Sequence, residues 1–426
     1  MRREGWAALT LSALALAILG AVKVPKGSHS PGTLNPLDFG ADPTERRDSS
    51  AAFQRMAEEI ERRGLRHVRI AIPPGRFLLK RRVTFVARGN EPDFGMTIEG
   101  AGEDATELVV DNPEGGIRFL GVDINRLTFT ISNLSLVAAR DGAGVALEFD
   151  KPNPGVKHRR QFNAENILVR GERFDRGYFK VGLLVRNAWF PRLENVKVAD
   201  RYGPGLTGEV YSMDCGILLE DCYNPLVVNC HVWGGKVGLI YRLERTHPED
   251  GTIAHSYFVD CIEGIRIVRT HGTREWEEPG LHITDCHVNF RDYGITLFGV
   301  RQGNISHCLF YCHDTKGAAF FGGGRPRDFA PVDINLEYAS DIVIDGNIFS
   351  FPSNPRRVAV RIGRDSGQIL IANNIFNIEG TAIRNESPLP SFSVNNVFGG
   401  RRNFWREGRS RRYDDLTGSL VRRDLN

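Results

Sequence analysis

Arginines recur on one strip of this sequence, with acids, imidazoles and aromatic rings close by. Arg186, Arg242 and Arg266 each stand two or four residues after a Gly that opens an apolar run, and Glu220 occupies the same kind of place. A guanidinium there can bind a carboxylate bidentately, and can neutralise the negative charge that develops when the neighbouring carbon loses its proton. Arg266 is the first choice for that role, because its expected column neighbours, Ile240 and Thr296, offer it no partner. His271, Asp214 and Glu220 are of the types that take or give a proton. Tyr202 and Trp276 can stack on a ring, while Arg186 and Arg242 can hold an anion.

A second constellation is Lys197, His231, Tyr257 and His287, each two residues after a turn residue in successive repeats. A phenol between imidazoles suits acid–base work. No metal is assigned, since no ligand set with metal-site spacing occurs. A plainer account exists for the first strip: Glu148, Arg186, Glu220 and Arg242 alternate in sign, and such a stack at the surface contributes little per pair.

The elements that must position these residues come from a repeat. Ten segments share one frame of turn residue, inward residue, outward residue, inward residue: Asn133–Leu136, Asn166–Val169, Asn195–Val198, Asn229–Val232, His255–Phe258, Asp285–Val288, His307–Phe310, Gly346–Phe349, Asn373–Phe376 and Asn395–Phe398. Each is accompanied by a strand opening on Gly or Ala, such as Gly216-Ile-Leu-Leu or Gly264-Ile-Arg-Ile, and by a strand running into the turn, such as Ile342-Val-Ile344. Three short strands per repeat, each too short to bury a face alone, predict stacked coils of a parallel β-helix. The residue after the turn is apolar early (Leu134, Ile167, Val196), then Cys230, Ser256, Cys286 and Cys308, then Asn347, Asn374 and Asn396. Amides stacked inside can hydrogen-bond one another, which removes the penalty of burying them.

A solenoid grows by adding coils, so 426 residues need not divide into several cores. The pattern predicts one domain over 34–398 with an amphipathic capping helix near 49–63, where Phe53, Met56, Ala57 and Ile60 share a face before Gly64. Residues 401–426 carry a net charge of +4 and the first 26 carry +3, leaving a body of −4 that does not read as a nucleic-acid platform. Met1-Arg2-Arg3 followed by the apolar stretch Trp6 to Val22 predicts an export signal or an uncleaved anchor, hence a secreted, periplasmic or membrane-anchored protein. The seven Cys lack the spacing of a disulfide framework, and free buried thiols are expected.

Asp38-Phe-Gly-Ala41, Ala52-Phe-Gln54 and Ile72-Pro-Pro-Gly75-Arg-Phe77 resemble the opening segment of pectate-lyase-superfamily β-helices, a group that includes phage tailspikes and polysaccharide lyases, hydrolases and epimerases. That resemblance implies a right-handed parallel β-helix whose substrate is a polysaccharide laid along one exposed sheet between long loops, and it allows calcium as a cofactor. The Gly-opening strands correspond to that sheet, with long segments around Arg201–Asp214, Arg242–Gly251, Arg269–Gly280 and His313–Val332 beside it. These carry His247, Glu249, Asp250, Glu275 and Asp314 as further polar groups. Motifs of the polygalacturonases and alginate epimerases are missing. The expectation is a lyase acting on an acidic, uronate-containing polysaccharide by proton abstraction. A glycoside hydrolase using Asp214, Glu220 or Asp292, a C5-epimerase, and a non-catalytic glycan-binding adhesin are the alternatives.

Overall fold

The computed structural model describes residues 32–399 apart from 90–92, 125, 153–159, 174, 202–210, 245–249, 270–279, 313–329 and 351–353, together with the strands Arg411–Tyr413 and Leu420–Val421. Three parallel sheets wind about one core. Sheet A holds the Gly-opening strands, from Val83–Arg88 through Cys215–Glu220 and Val237–Leu243 to Thr381–Asn385. Sheet B holds the strands that run into the turn, from His67–Ala71 through Leu226–Val228 to Ser391–Val394. Sheet C follows the turn, through His231–Trp233 to Val397–Gly399. The chain passes from A to B, through the turn, to C and back to A. Tyr257–Arg269 and His287–Phe298 run from C into A without a break.

The frame read from the sequence is the physical basis of this winding. All the turn residues from Asn133 to Asn395, with His255, Asp285, His307 and Gly346 among them, have φ between 50° and 66°. That left-handed conformation is open to Gly and tolerated by Asn, Asp and His, whose occurrence at this place is therefore a backbone requirement. The inward column after the turn is buried throughout. In its last coils the Asn347 Nδ2 donates to Asn374 Oδ1 at 3.0 Å, and Asn374 Nδ2 donates to Asn396 Oδ1 at 3.0 Å. Backbone N–H groups of Asn347 and Asn374 donate to the same acceptors at 2.9 Å each. The second inward column ends in a ring stack, Phe310–Phe349–Phe376–Phe398, with centroids 4.9, 4.7 and 5.3 Å apart. Glycine opens the sheet A strand where the backbone turns hard against sheet C. A Cβ on Gly264 would lie 2.5 Å from Val288 Cγ1 and 2.7 Å from the Gly294 carbonyl oxygen.

The helix expected near 49–63 is Ser50–Arg62, and Ala52, Phe53, Met56, Ala57 and Ile60 join the core. It packs on Val83–Arg88, the first strand of sheet A, with Phe53 edge-on to Phe77 at 5.9 Å. Five short strands follow the helix, His67–Ala71, Gly75–Leu79, Val83–Arg88, Phe94–Glu99 and Thr106–Val110. All seven Cys are buried, and none forms a disulfide. In the basic tail, Arg411–Tyr413 adds a further parallel rung to sheet B beside Phe392 and Ser393, and pairs antiparallel with Leu420–Val421.

One fully buried ion pair was not read from the sequence. Arg357 and Asp333 are both 0% exposed, with Nε to Oδ1 and Nη2 to Oδ2 each at 2.8 Å, while Arg357 Nη1 donates to the Ser350 carbonyl at 2.8 Å. Burial pushes the Asp333 carboxyl up to about 6 against the pull of Arg357. Removing one partner strands a buried charge, so Arg357→Met is expected to destabilise the fold by about 3–5 kcal/mol, and Arg357→Met with Asp333→Leu to recover part of it. Urea midpoints of the single and double variants measure this. Asn374→Ala deletes the acceptor of two Asn347 donors, and should lower stability by about 1–3 kcal/mol in the same assay.

Candidate functional site

Connecting segments of seven residues or more join the middle strands of sheet A to their neighbours in sequence. The stretches 202–210 and 313–329 precede Cys215–Glu220 and Val332–Glu337, and the stretches 245–249 and 270–279 follow Val237–Leu243 and the strand ending at Arg269. Tyr202, His247, Glu249, His271, Glu275, Trp276 and Asp314 lie outside the described residues. One end-to-end anchor is visible. Asp200, 4% exposed, accepts from the N–H of Arg201 at 2.8 Å, of Ser212 at 2.7 Å and of Met213 at 2.9 Å, which ties the two ends of 202–210 together.

The outward columns of sheet A follow from its register. The column of Arg266 reads Arg118, Glu148, Leu184, Leu218, Ile240, Arg266, Thr296, Asn335, Arg361 and Arg384. Its neighbour reads Asp150, Arg186, Glu220, Arg242, Val268, Phe298 and Glu337. Two expectations are corrected here. Glu148 does not share a column with Arg186: it pairs in register with Leu184, because Ala146 and not Gly144 occupies the opening position of that coil. Asp150 stands beside Arg186 instead, although Glu148 Oε1 still approaches Arg186 Nη1 at 3.8 Å.

The second correction concerns Arg266. Ile240 and Thr296 do flank it, but its partner comes from its own strand: Nε donates to Glu263 Oε2 at 2.7 Å, and Nη2 bonds the same oxygen. Glu263 is 2% exposed, and among the described residues its Oε1 has no hydrogen-bond partner. A buried carboxylate thus holds a guanidinium whose side chain is 43% exposed. The next rung places Tyr293 against Glu263, and burial with the Glu263 charge beside it raises the Tyr293 phenol above its usual range. On the other side Cys215, Leu218, Val237 and Ile240 form a small apolar cluster on the outer face.

The other strip residues are paired with one another. Arg186 bonds Glu220, whose other oxygen takes Arg242 Nη1 at 3.1 Å. Arg361 bonds Glu337 and forks onto Glu386 at 3.1 and 2.8 Å. These form the alternating ion-pair stack considered above, so the strip is far less cationic than its arginines suggest. Asp214 is half exposed at the sheet edge, 2.8 Å from Lys236 Nζ. Asp292 is chelated by its neighbour Arg291 at 3.0 and 3.3 Å, and that guanidinium lies over the Tyr211 ring at 4.9 Å.

Glu263 and Tyr293 were missed, yet a signal existed. The column before the Gly reads Val145, Val181, Cys215, Val237, Glu263, Tyr293, Val332, Val358 and Thr381, so a carboxylate and a phenol interrupt an otherwise mostly apolar row.

The second constellation is assembled on sheet C as expected. Lys197, His231, Tyr257 and His287 pair in register on successive coils. His231 and Tyr257 ring centres lie 5.5 Å apart, Tyr257 and His287 6.0 Å, and His287 and Tyr311 5.0 Å. Lys197 is paired with Glu103 at 2.8 Å. Among the described residues no cluster of His, Cys, Asp and Glu has the arrangement of a metal site.

Solved structures share this architecture. The A-module of a mannuronan C-5 epimerase from Azotobacter vinelandii is similar at 15% identity and a TM-score of 0.56, over 88% of this chain and 98% of that one. A surface adhesin of Streptococcus pneumoniae matches at 14% identity and 0.50, over 92% and 96%. The Dettilon tailspike protein matches at 14% identity and 0.51, over 84% and 69%. No family model and no curated protein matches the chain. The chain is a right-handed parallel β-helix protein, the fold implied by the pectate-lyase resemblance. At such identity the likeness concerns the fold alone.

Burial lowers the pKa of His231, aided by Lys197 and opposed by Asp260; burial also lowers that of His287, aided by His231 and opposed by Asp260. The unfolded chain therefore binds protons first as pH falls, so the stability linked to these groups is present above about 6.5 and is lost on acidification through their lowered values. Melting temperature should fall between about pH 7 and 5, and a His231→Gln, His287→Gln variant should show a flatter profile. An unchanged slope in that variant would contradict the assignment.

Proposed function

We propose that this protein processes an extended acidic polysaccharide laid across the middle of sheet A, by removing the proton beside a uronate carboxylate. The observation that carries the reading is the Glu263–Arg266 pair. A carboxylate buried to 2% exposure is expensive to keep, and this one presents a guanidinium towards the outer face in a fixed orientation. Nε and Nη2 are held by Glu263, which leaves Nη1 to meet a uronate carboxylate. The apolar cluster of Val237 and Ile240, one coil away, with Cys215 and Leu218, two coils away, suits the C–H face of a neighbouring sugar ring.

In the elimination reading, a base takes the proton from the carbon beside the carboxylate while Arg266 neutralises the charge building there. The electron pair closes a double bond to the next carbon, the glycosidic oxygen leaves, and that oxygen gains a proton. Returning a proton to the opposite face instead gives epimerisation. The mannuronan epimerase neighbour supports a uronate polymer as the substrate of such a fold, and the adhesin neighbour supports the rival reading of binding without turnover. Export to the periplasm or beyond is part of the proposal, resting on the charged start and the apolar stretch to Val22.

Purified protein incubated with alginate, polygalacturonate and neutral glucans, followed for unsaturated product and for new reducing ends, tests this. We expect unsaturated product with reducing ends on a uronate polymer, or deuterium uptake without cleavage in heavy water. Arg266→Ala should lower the rate by at least a hundredfold, and Arg266→Lys should restore little because the fork is lost. Reducing ends without either signal, or an Arg266→Ala variant that retains its rate, would overturn the proposal.

A further inference from the structure

Sheet C carries a face that the reaction on sheet A leaves unused. Its outward column places His231, Tyr257 and His287 on consecutive coils, with Tyr257 50% exposed at the centre. Trp233 lies parallel to His231 at 6.1 Å and 5°, and Tyr311 closes on His287 at 5.0 Å. Five rings thus cover four adjacent coils, which are spaced about 4.8 Å apart. Elsewhere in the same column stand Ser135, Leu168 and Lys197 before it and Leu309, Ile348, Ile375 and Val397 after it. The rings are therefore a local feature of the middle coils and not a property of the repeat.

The polar atoms of the patch point the same way. Among the described residues His231 Nε2, His287 Nε2 and Asn289 Oδ1 are buried without a hydrogen-bond partner. Native side chains seldom leave such atoms unmet, and three on one face call for a ligand or ordered water to meet them. The charged groups nearby are taken: Lys197 pairs with Glu103 at 2.8 Å, and Asp260 accepts from Trp233 Nε1 at 2.9 Å. A face of stacked rings with imidazole and amide groups and, among the described residues, no unpaired cation fits a hydroxyl-rich, uncharged ligand. It does not fit a polyanion.

From this we infer that sheet C holds a second glycan site, in which a neutral saccharide chain runs along the solenoid axis and stacks on Tyr257, with Trp233 and Tyr311 flanking it and His231, His287 and Asn289 meeting its hydroxyls. The site is independent of Arg266, on another face of the coil.

Isothermal titration and Trp fluorescence with neutral gluco-, manno- and galacto-oligosaccharides, and with oligogalacturonate as the acidic control, test it in the full chain. At least one neutral oligomer should bind, and Tyr257→Ala should weaken that binding tenfold or more while Tyr257→Phe keeps it. Melting temperature and any turnover of uronate polymer should be unchanged in Tyr257→Ala, whereas Arg266→Ala should leave the neutral ligand bound. Absence of binding to every neutral oligomer, preference for oligogalacturonate, or unaltered binding in Tyr257→Ala would overturn the inference. Loss of neutral binding in Arg266→Ala would also overturn it, by merging the two sites.

Discussion

The register of the coils depends on one constraint, the left-handed turn residue followed by an inward side chain that must match its neighbour above and below. Because the strand period is two, a slip of one residue at any coil would exchange its inward and outward sets. The turn row from Asn133 to Asn395 prevents that slip by fixing where each sheet C strand begins. The inward column then locks adjacent coils, first by apolar contact, and in the last coils by amide bonds through Asn347, Asn374 and Asn396. The same register aligns the outer faces, so that a residue such as Glu263 meets Tyr293 and Val237 and nothing else in its row.

Two outer faces inherit different chemistry from this stacking. On sheet A the charges cancel in pairs along the axis, and the proposed site lies where the pattern breaks. Glu263 replaces an apolar residue and turns Arg266 from a rung of a ladder into a held guanidinium. On sheet C the break is of another kind, with rings in place of aliphatic side chains. Both breaks fall in the middle coils. Uniform coils on either side supply rigidity, which the proposed site for an extended chain requires.

Much of the fold was legible in the sequence because a backbone requirement repeats: Asn, Asp, His or Gly at one turn, an inward pair after it, and a Gly where sheet A meets sheet C. The column Lys197, His231, Tyr257, His287 was legible for the same reason. Glu148 was misplaced by two residues because Gly144 looks like the opening glycine, whereas Ala146 holds that position. Arg266 has no partner in Ile240 or Thr296, its neighbours on adjacent coils, whereas Glu263 reaches it from three residues earlier on the same strand, a contact that column spacing does not reveal. The Arg357–Asp333 pair was hidden for a deeper reason. Its members belong to different coils and become neighbours only inside the finished solenoid.

A crystal structure of the protein with a uronate oligosaccharide tests the central claim most directly. The account predicts the sugar chain across the middle strands of sheet A, with one carboxylate on the guanidinium of Arg266 and a neighbouring ring over Leu218 and Ile240. A uronate chain seated on sheet B or sheet C, with Arg266 still bound only to Glu263, would contradict it.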